Sequence, residues 1–251
     1  MNSVNPEDST LPGKSLDAQF DAVWQRFERL SSTEDSMHKW TVRLRRWLTP
    51  VNVSFVIPIE DENVCDYLAY AQQHLLADLQ FAPQPQNKLH ITLYQVGYLR
   101  HTPLRIPGSW SRAELMQIVS KARQFLSLMQ PFSVQIGPIN AFPNVPIAEV
   151  HDNGTLRMLR GVIAQAIPPL LSPLNYPLIP HVSLGYFGKQ AAAPVRNSLR
   201  PLRNLAPLSF TVNRVQLTLY SLQPGHFERS ALLLHSSEEV LAALALGNSA
   251  A

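Results

Sequence analysis

The chain has 251 residues, 45% hydrophobic and 16% charged, with a formal charge of +3 and a pI near 9.1. That is long enough for one sizeable core or two lobes and too apolar for a disordered chain, and the mild basicity permits an anionic ligand without describing a protein that coats nucleic acid. The single cysteine, Cys65, excludes an intramolecular disulfide framework and suits a reducing compartment.

Residues 1–14 are polar and partly acidic, without the basic and apolar regions of a secretory leader, and no apolar run approaches the roughly 20 residues of a membrane span. A soluble, cytoplasmic protein is expected, with no membrane partner. Asp17 to Leu30 places Phe20, Val23, Trp24, Phe27 and Leu30 at helical spacing, which predicts an amphipathic helix packed on the main domain. From Met37 to Trp47, Lys39, Arg43, Arg45 and Arg46 interleave with Trp40 and Trp47. That composition fits either contacts to a nucleic-acid strand at the mouth of a cleft or a solvated edge with packed tryptophans. Residues 1–49 are therefore expected to form an N-terminal extension, 50–240 the main domain and 241–251 a tail.

Regular patterning begins at Val51. Strands are predicted at Val51–Ile59, Lys88–Val96, Phe132–Ile139, Pro146–Val150, Leu178–Phe187, Leu208–Leu222 and Ala231–His235. Helices are predicted at Val64–Leu79, Arg112–Met129 and Leu156–Ile167, the last introduced by Asn153-Gly154-Thr155. The 21 prolines cluster in the connections, including 83–85, 143–146, 168–180 and 194–207. Helices that each lead through a proline-rich connection into a strand point to a duplicated α+β unit. A doubly wound parallel sheet ranks second, because no glycine-rich phosphate loop is present.

Two of those strands carry the same short string, His90-Ile91-Thr92-Leu93 and His181-Val182-Ser183-Leu184. Side chains two apart on a strand share a face, so each string sets an imidazole beside a hydroxyl while its apolar residues point into a core. Side by side, two such strands would flank a small anion with two proton-transfer groups and two hydrogen-bond donors, an arrangement suited to phosphate esters. His235-Ser236-Ser237 repeats the shorter pattern but lacks the leucine and lies near the C-terminus. Either histidine alone could be an ordinary strand residue bonded to the backbone; the duplication favours function. Strict alternation puts Tyr94 on the face of His90, whereas Tyr186 joins His181 only if Gly185 introduces a bulge. Both are candidate cleft residues, and Arg100 and Arg214 are candidate phosphate contacts. No His-Glu-x-x-His, Cys-x-x-Cys or Gly-x-Ser-x-Gly occurs, so neither a metal nor a serine triad is expected, and no cofactor.

On these strings the chain resembles the 2H phosphoesterase superfamily, within the branch of bacterial 2′-5′ RNA ligases and RNA cyclic phosphodiesterases. Asn87 through Leu93, Ala141-Phe142-Pro143-Asn144, Leu156 through Leu159, Pro180 through Leu184, and Phe210–Leu217 with Gly225–Leu234 carry the resemblance. It implies two similar α/β lobes with antiparallel sheets around a central cleft, related by a pseudo-two-fold, one motif facing the phosphate from each. It further implies His90 as general acid and His181 as general base in metal-independent hydrolysis of a cyclic phosphate or 2′-5′ linkage, with ligation as the reverse. Thr92 and Ser183 would bind the phosphate oxygens. The expected partner is an RNA end or nucleotide, and the expected state a monomer. The alternative is a non-catalytic module holding a nucleotide or RNA end in the same cleft, or an unrelated α/β protein with accidental motifs.

Overall fold

Four of the five helices among the described residues begin where a nearby side chain accepts from one of their first free N–H groups. The computed structural model describes residues 15–33, 51–100, 108–168, 179–227 and 230–247. Helix α1 (Leu16–Glu28) is capped by Ser15, α2 (Glu62–Asp78) by Asp61, and α3 (Arg112–Leu126) by a reciprocal Ser111–Glu114 capping box. At α4 (Thr155–Ala166) the Asp152 carboxylate accepts from the Leu156 N–H at 2.7 Å. Helix α5 (Ala192–Leu202) lies where the sequence predicts only a connection. Its Pro194 falls in the first turn, where a missing N–H costs nothing, and Pro201 in the last.

The strands are β1 (Val51–Pro58), β2 (Phe81–Pro83), β3 (His90–Leu99), β4 (Ser109–Trp110), β5 (Phe132–Phe142) and β6 (Val145–His151). They continue with β7 (His181–Ser183), β8 (Gly185–Phe187), β9 (Leu208–Val212), β10 (Arg214–Phe227) and β11 (Ser230–Ala245). Eight form one path in the order β11-β10-β1-β3-β7-β6-β5-β9, with β4 beside β3, while β2 and β8 pair separately. All of these pairings are antiparallel except β3 with β4, which sets aside the doubly wound alternative. Four strands on each side meet at the β3–β7 seam. Along the path β9 is an end strand and β10 lies next to the other end, yet Asn213 alone separates them in the chain. The sheet must therefore curl.

That curl explains two departures from the predicted strands. The expected Leu208–Leu222 strand breaks at Asn213, because its first part pairs with β5 and its second with β1. The expected Leu178–Phe187 strand breaks at Leu184, where the chain leaves the main sheet to pair with β2. Gly185 makes this possible: its φ is +151°, and a Cβ there would lie 2.2 Å from the Ala82 carbonyl oxygen. The last strand is also longer than predicted, since Ala242–Ala245, expected within or beside a tail, pair with Arg214–Leu217.

One face of the sheet, carrying Phe55, Ile57, Ile91, Val182, Ala148 and Val150, packs against α2 to α5 in a continuous core. Helix α1 reaches this core through Phe27, with Trp24 packed against it, and a second cluster through Phe20. Its Phe20 joins Ile147 of β6 and Ile179 in a separate cluster, and Phe27 lies against Phe187 with ring centroids 6.5 Å apart. The Arg203 guanidinium sits 4.6 Å from the centre of the Trp24 ring. The chain after α1 is stapled down by the Arg196 side chain donating to the Leu30 carbonyl at 2.7 Å and by Thr33 donating to the Gly188 carbonyl at 2.6 Å.

Candidate functional site

The two His strings meet at the seam of the sheet. Ile91 of β3 lies opposite Val182 of β7 in an antiparallel pair. An antiparallel pair has a local two-fold axis, so His90 falls across from Ser183 and Thr92 across from His181. Ile91 and Val182 point into the core, and the four polar residues share the other face, each partly exposed. Directly opposed Cβ atoms lie about 5 Å apart and diagonal ones about 7–8 Å, so two diagonal imidazoles can bracket one phosphorus atom.

Both imidazoles are held by the same device. Nδ1 of His90 bonds the Lys88 carbonyl at 2.9 Å, and Nδ1 of His181 bonds the Ile179 carbonyl at 2.8 Å. A carbonyl only accepts, so each Nδ1 carries the proton and each Nε2 is the pole at which charge changes. Burial pushes both imidazoles below their ordinary pKa, opposed in each case by the bond to the backbone carbonyl. The positive charge of His90 lowers His181 further. The doubly charged pair is thus the state most strongly disfavoured.

Neighbouring strands complete the face. Pro58 of β1 is the register partner of His90, and Val56 that of Thr92. On the other side Ile147 and Glu149 of β6 oppose Ser183 and His181. Glu149 is 3% exposed, and its carboxylate accepts from Asn140 Nδ2 at 2.7 Å and from Arg203 Nη1 at 3.2 Å. It also pairs with His151 Nε2 at 2.9 Å, while His151 Nδ1 meets Asp17 of α1 at 2.9 Å. Phe142 sets its ring edge-on to His181, with centroids 5.1 Å apart and planes at 79°. A cavity of about 500 Å³ opens on the His90 side, lined among others by Val56, Pro58, Asn87, Lys88, His90 and Gln216.

Tyr94 does not share this face. The β3 register slips between Thr92 and Tyr94, leaving Leu93 as an extra residue, so Tyr94 falls opposite Phe55 within the core. Tyr186 is half-buried opposite Ala82, between buried Gly185 and Phe187. The candidate phosphate contacts are engaged elsewhere: Arg100 pairs with Glu114 at 2.8 Å and Arg214 with Glu60. Lys39, Trp40, Arg43, Arg45, Arg46 and Trp47 lie outside the described residues. Among the described residues no group of three or more His, Cys, Asp or Glu side chains is arranged to hold a metal, and no helix is long and apolar enough to cross a membrane. Sequence reasoning missed the two carbonyl acceptors and the Phe142 edge. Phe142 was legible only as part of a string, because its contact depends on how β5 and β7 are brought together.

Similar architecture recurs among solved structures. TT0787 of Thermus thermophilus superposes with a TM-score of 0.51 at 21% identity, covering 78% of this chain and 99% of that one. Escherichia coli LigT complexed with 3′-AMP gives 0.55 at 15% identity over 78% and 98%, and its apo form 0.53 at 15% over 79% and 99%. At these identities the likeness shows the fold. Sequence comparison with curated proteins gives no match. The model of the 2′-5′ RNA ligase superfamily matches residues 68–224, a span that contains both His strings and the seam between them. The chain belongs to that superfamily, and so to the 2H phosphoesterases.

Proposed function

We propose that the protein is a metal-independent cyclic phosphodiesterase that opens the terminal cyclic phosphate of an RNA or nucleotide, with His90 and His181 as its two proton-transfer groups. The observation that carries this reading is the matched pair of imidazoles, each with Nδ1 tied to a carbonyl so that Nε2 is the pole for chemistry, across a seam also bearing two hydroxyls. In the forward reaction neutral His181 takes a proton from water at Nε2 as the water oxygen bonds to phosphorus. The bond from phosphorus to one ribose oxygen breaks on the opposite side, and His90, charged beforehand, delivers its Nε2 proton to that oxygen. Thr92 and Ser183 donate to the non-bridging oxygens, where negative charge accumulates. Net, one water is added and the two rings end with exchanged charge, restored through solvent.

Repulsion between the two rings supports this division in one respect, since it separates their ionisations: once one ring is charged, the other loses its proton more readily. The assignment of acid and base follows the family resemblance. The relatives crystallised with nucleotides, LigT with 3′-AMP among them, make a nucleotide the reasonable first ligand. The test is incubation with the four nucleoside 2′,3′-cyclic phosphates and a short RNA ending in a cyclic phosphate, with products separated by chromatography. Conversion of cyclic to monoester phosphate is expected. Tight binding of the same compounds with no conversion would replace the enzyme by a binding module.

A further inference from the structure

The structure assigns helix α1 a positioning role: through Phe20 it clamps the cluster of side chains that holds His181 in place. This rests on the proposed two-histidine reading. Phe20 is 1% exposed and packs with Ile147 and Ile179, with Phe142 against the same cluster. Each of those three touches the His181 side of the seam in a different way. The Ile179 carbonyl accepts from Nδ1 of His181, the Phe142 ring meets the imidazole edge-on, and Ile147 lies directly opposite Ser183. Phe20 of α1 packs on the His181 side of the seam, whereas His90 borders a cavity that Pro58, Asn87 and Gln216 also line. The near-symmetry of the seam is therefore broken by an element outside the 68–224 span of the family match.

The clamp is also tied electrically. Asp17 on α1 pairs with His151, His151 pairs with Glu149, and Glu149 is the strand neighbour of His181. Asn140 spans the same junction, its Nδ2 donating both to the Phe20 carbonyl at 3.0 Å and to Glu149 at 2.7 Å. Among the described residues, the ionisable groups around His181 are thus His90 from β3 and Glu149 from β6, with His151, Arg203 and Asp17 behind them. Removing the Phe20 ring opens a void beneath Ile179, lets water approach the imidazole and frees the carbonyl that orients it.

The test compares Phe20→Ala with Phe20→Leu and, as a control of equal burial in the main core, Leu115→Ala. Two readouts are taken on full-length protein. Imidazole titrations followed by NMR need no turnover, and kcat and KM are measured on a nucleoside 2′,3′-cyclic phosphate. For Phe20→Ala the expected result is a His181 titration moved up toward the ordinary imidazole value with His90 unmoved. A 10- to 100-fold fall in kcat and a KM within about threefold of the wild type should accompany it. Phe20→Leu should restore most of both, and Leu115→Ala should lower the melting temperature while leaving both titrations in place. If Phe20→Ala leaves the His181 titration where it was, or moves both histidines together as Leu115→Ala also does, the proposal is overturned. If His181 alone moves while the wild-type protein turns over no cyclic phosphate, the clamp stands and the proposed activity fails.

Discussion

Replacing His90 and His181 singly and together tests whether the seam works as one unit. A positioned acid or base contributes about 10²–10⁴ in rate, or roughly 2.7–5.4 kcal/mol of transition-state stabilisation. Each histidine→Ala variant should lose that much kcat. Independent groups would cost twice as much in the double variant, but in the proposed reaction the two rings assist opposite ends of one displacement. Without one, the other has little left to assist, so the double variant should lose clearly less than the product of the single losses. The wild-type pH–rate profile should be bell-shaped, because one ring must be charged and the other neutral. Both limbs should sit below where free imidazoles would place them, since burial lowers both groups and His90 lowers His181 further. In His90→Ala that repulsion is gone and the His181 titration, followed by NMR, should rise. The assay is steady-state hydrolysis of a nucleoside 2′,3′-cyclic phosphate across pH 4–9. Strictly multiplicative losses, or a sigmoid profile with a single ionisation, would refute two-histidine catalysis.

Thr92→Val and Ser183→Ala should each lower kcat by about 10²–10³ with the pH optimum unmoved, because a hydroxyl donor stabilises charge without titrating; a shifted optimum would make the hydroxyls tuners of the imidazoles. Turnover should survive prolonged EDTA treatment, as the proposed mechanism draws both proton transfers and the charge stabilisation from side chains, and loss on chelation restored by a divalent ion would count against it. Gly185→Ala should destabilise the fold by about 2–6 kcal/mol in urea unfolding, combining strain at positive φ with the overlap on the Ala82 carbonyl; a loss under about 1 kcal/mol would mean that β8 can shift freely. Stability should decline as pH falls below the unfolded-chain imidazole value of about 6.5, because there the unfolded chain binds protons that buried His90 and His181 resist, and His181→Gln should flatten the decline.

The paired strings were legible because their information is local. Alternation along a strand needs only the residue order, so the separation of His90 and Thr92 from Ile91 could be read directly, as could that of His181 and Ser183 from Val182. The helix caps were written just as locally, in Ser111-x-x-Glu114 and in the polar residues before α1 and α2. Local rules failed where backbone geometry depends on a distant partner. The slip at Leu93 that turns Tyr94 into the core is set by pairing with β1, and the break at Asn213 by a strand that must serve both ends of a curled sheet. Prolines misled in the same way, since α5 accommodates Pro194 in its first turn, where the missing N–H is harmless, and Pro201 near its end, where few turns remain to be disrupted. The candidate site shows the same division. Residue order determined which groups could do the chemistry, and the carbonyls that fix the tautomers lie only two residues before each histidine, but only tertiary structure decided that Ile91 meets Val182 and that α1 covers one flank. Those two facts join segments about 90 and 160 residues apart in sequence, and contact across such spans is decided by packing and curvature of the whole sheet rather than by any short window of residues.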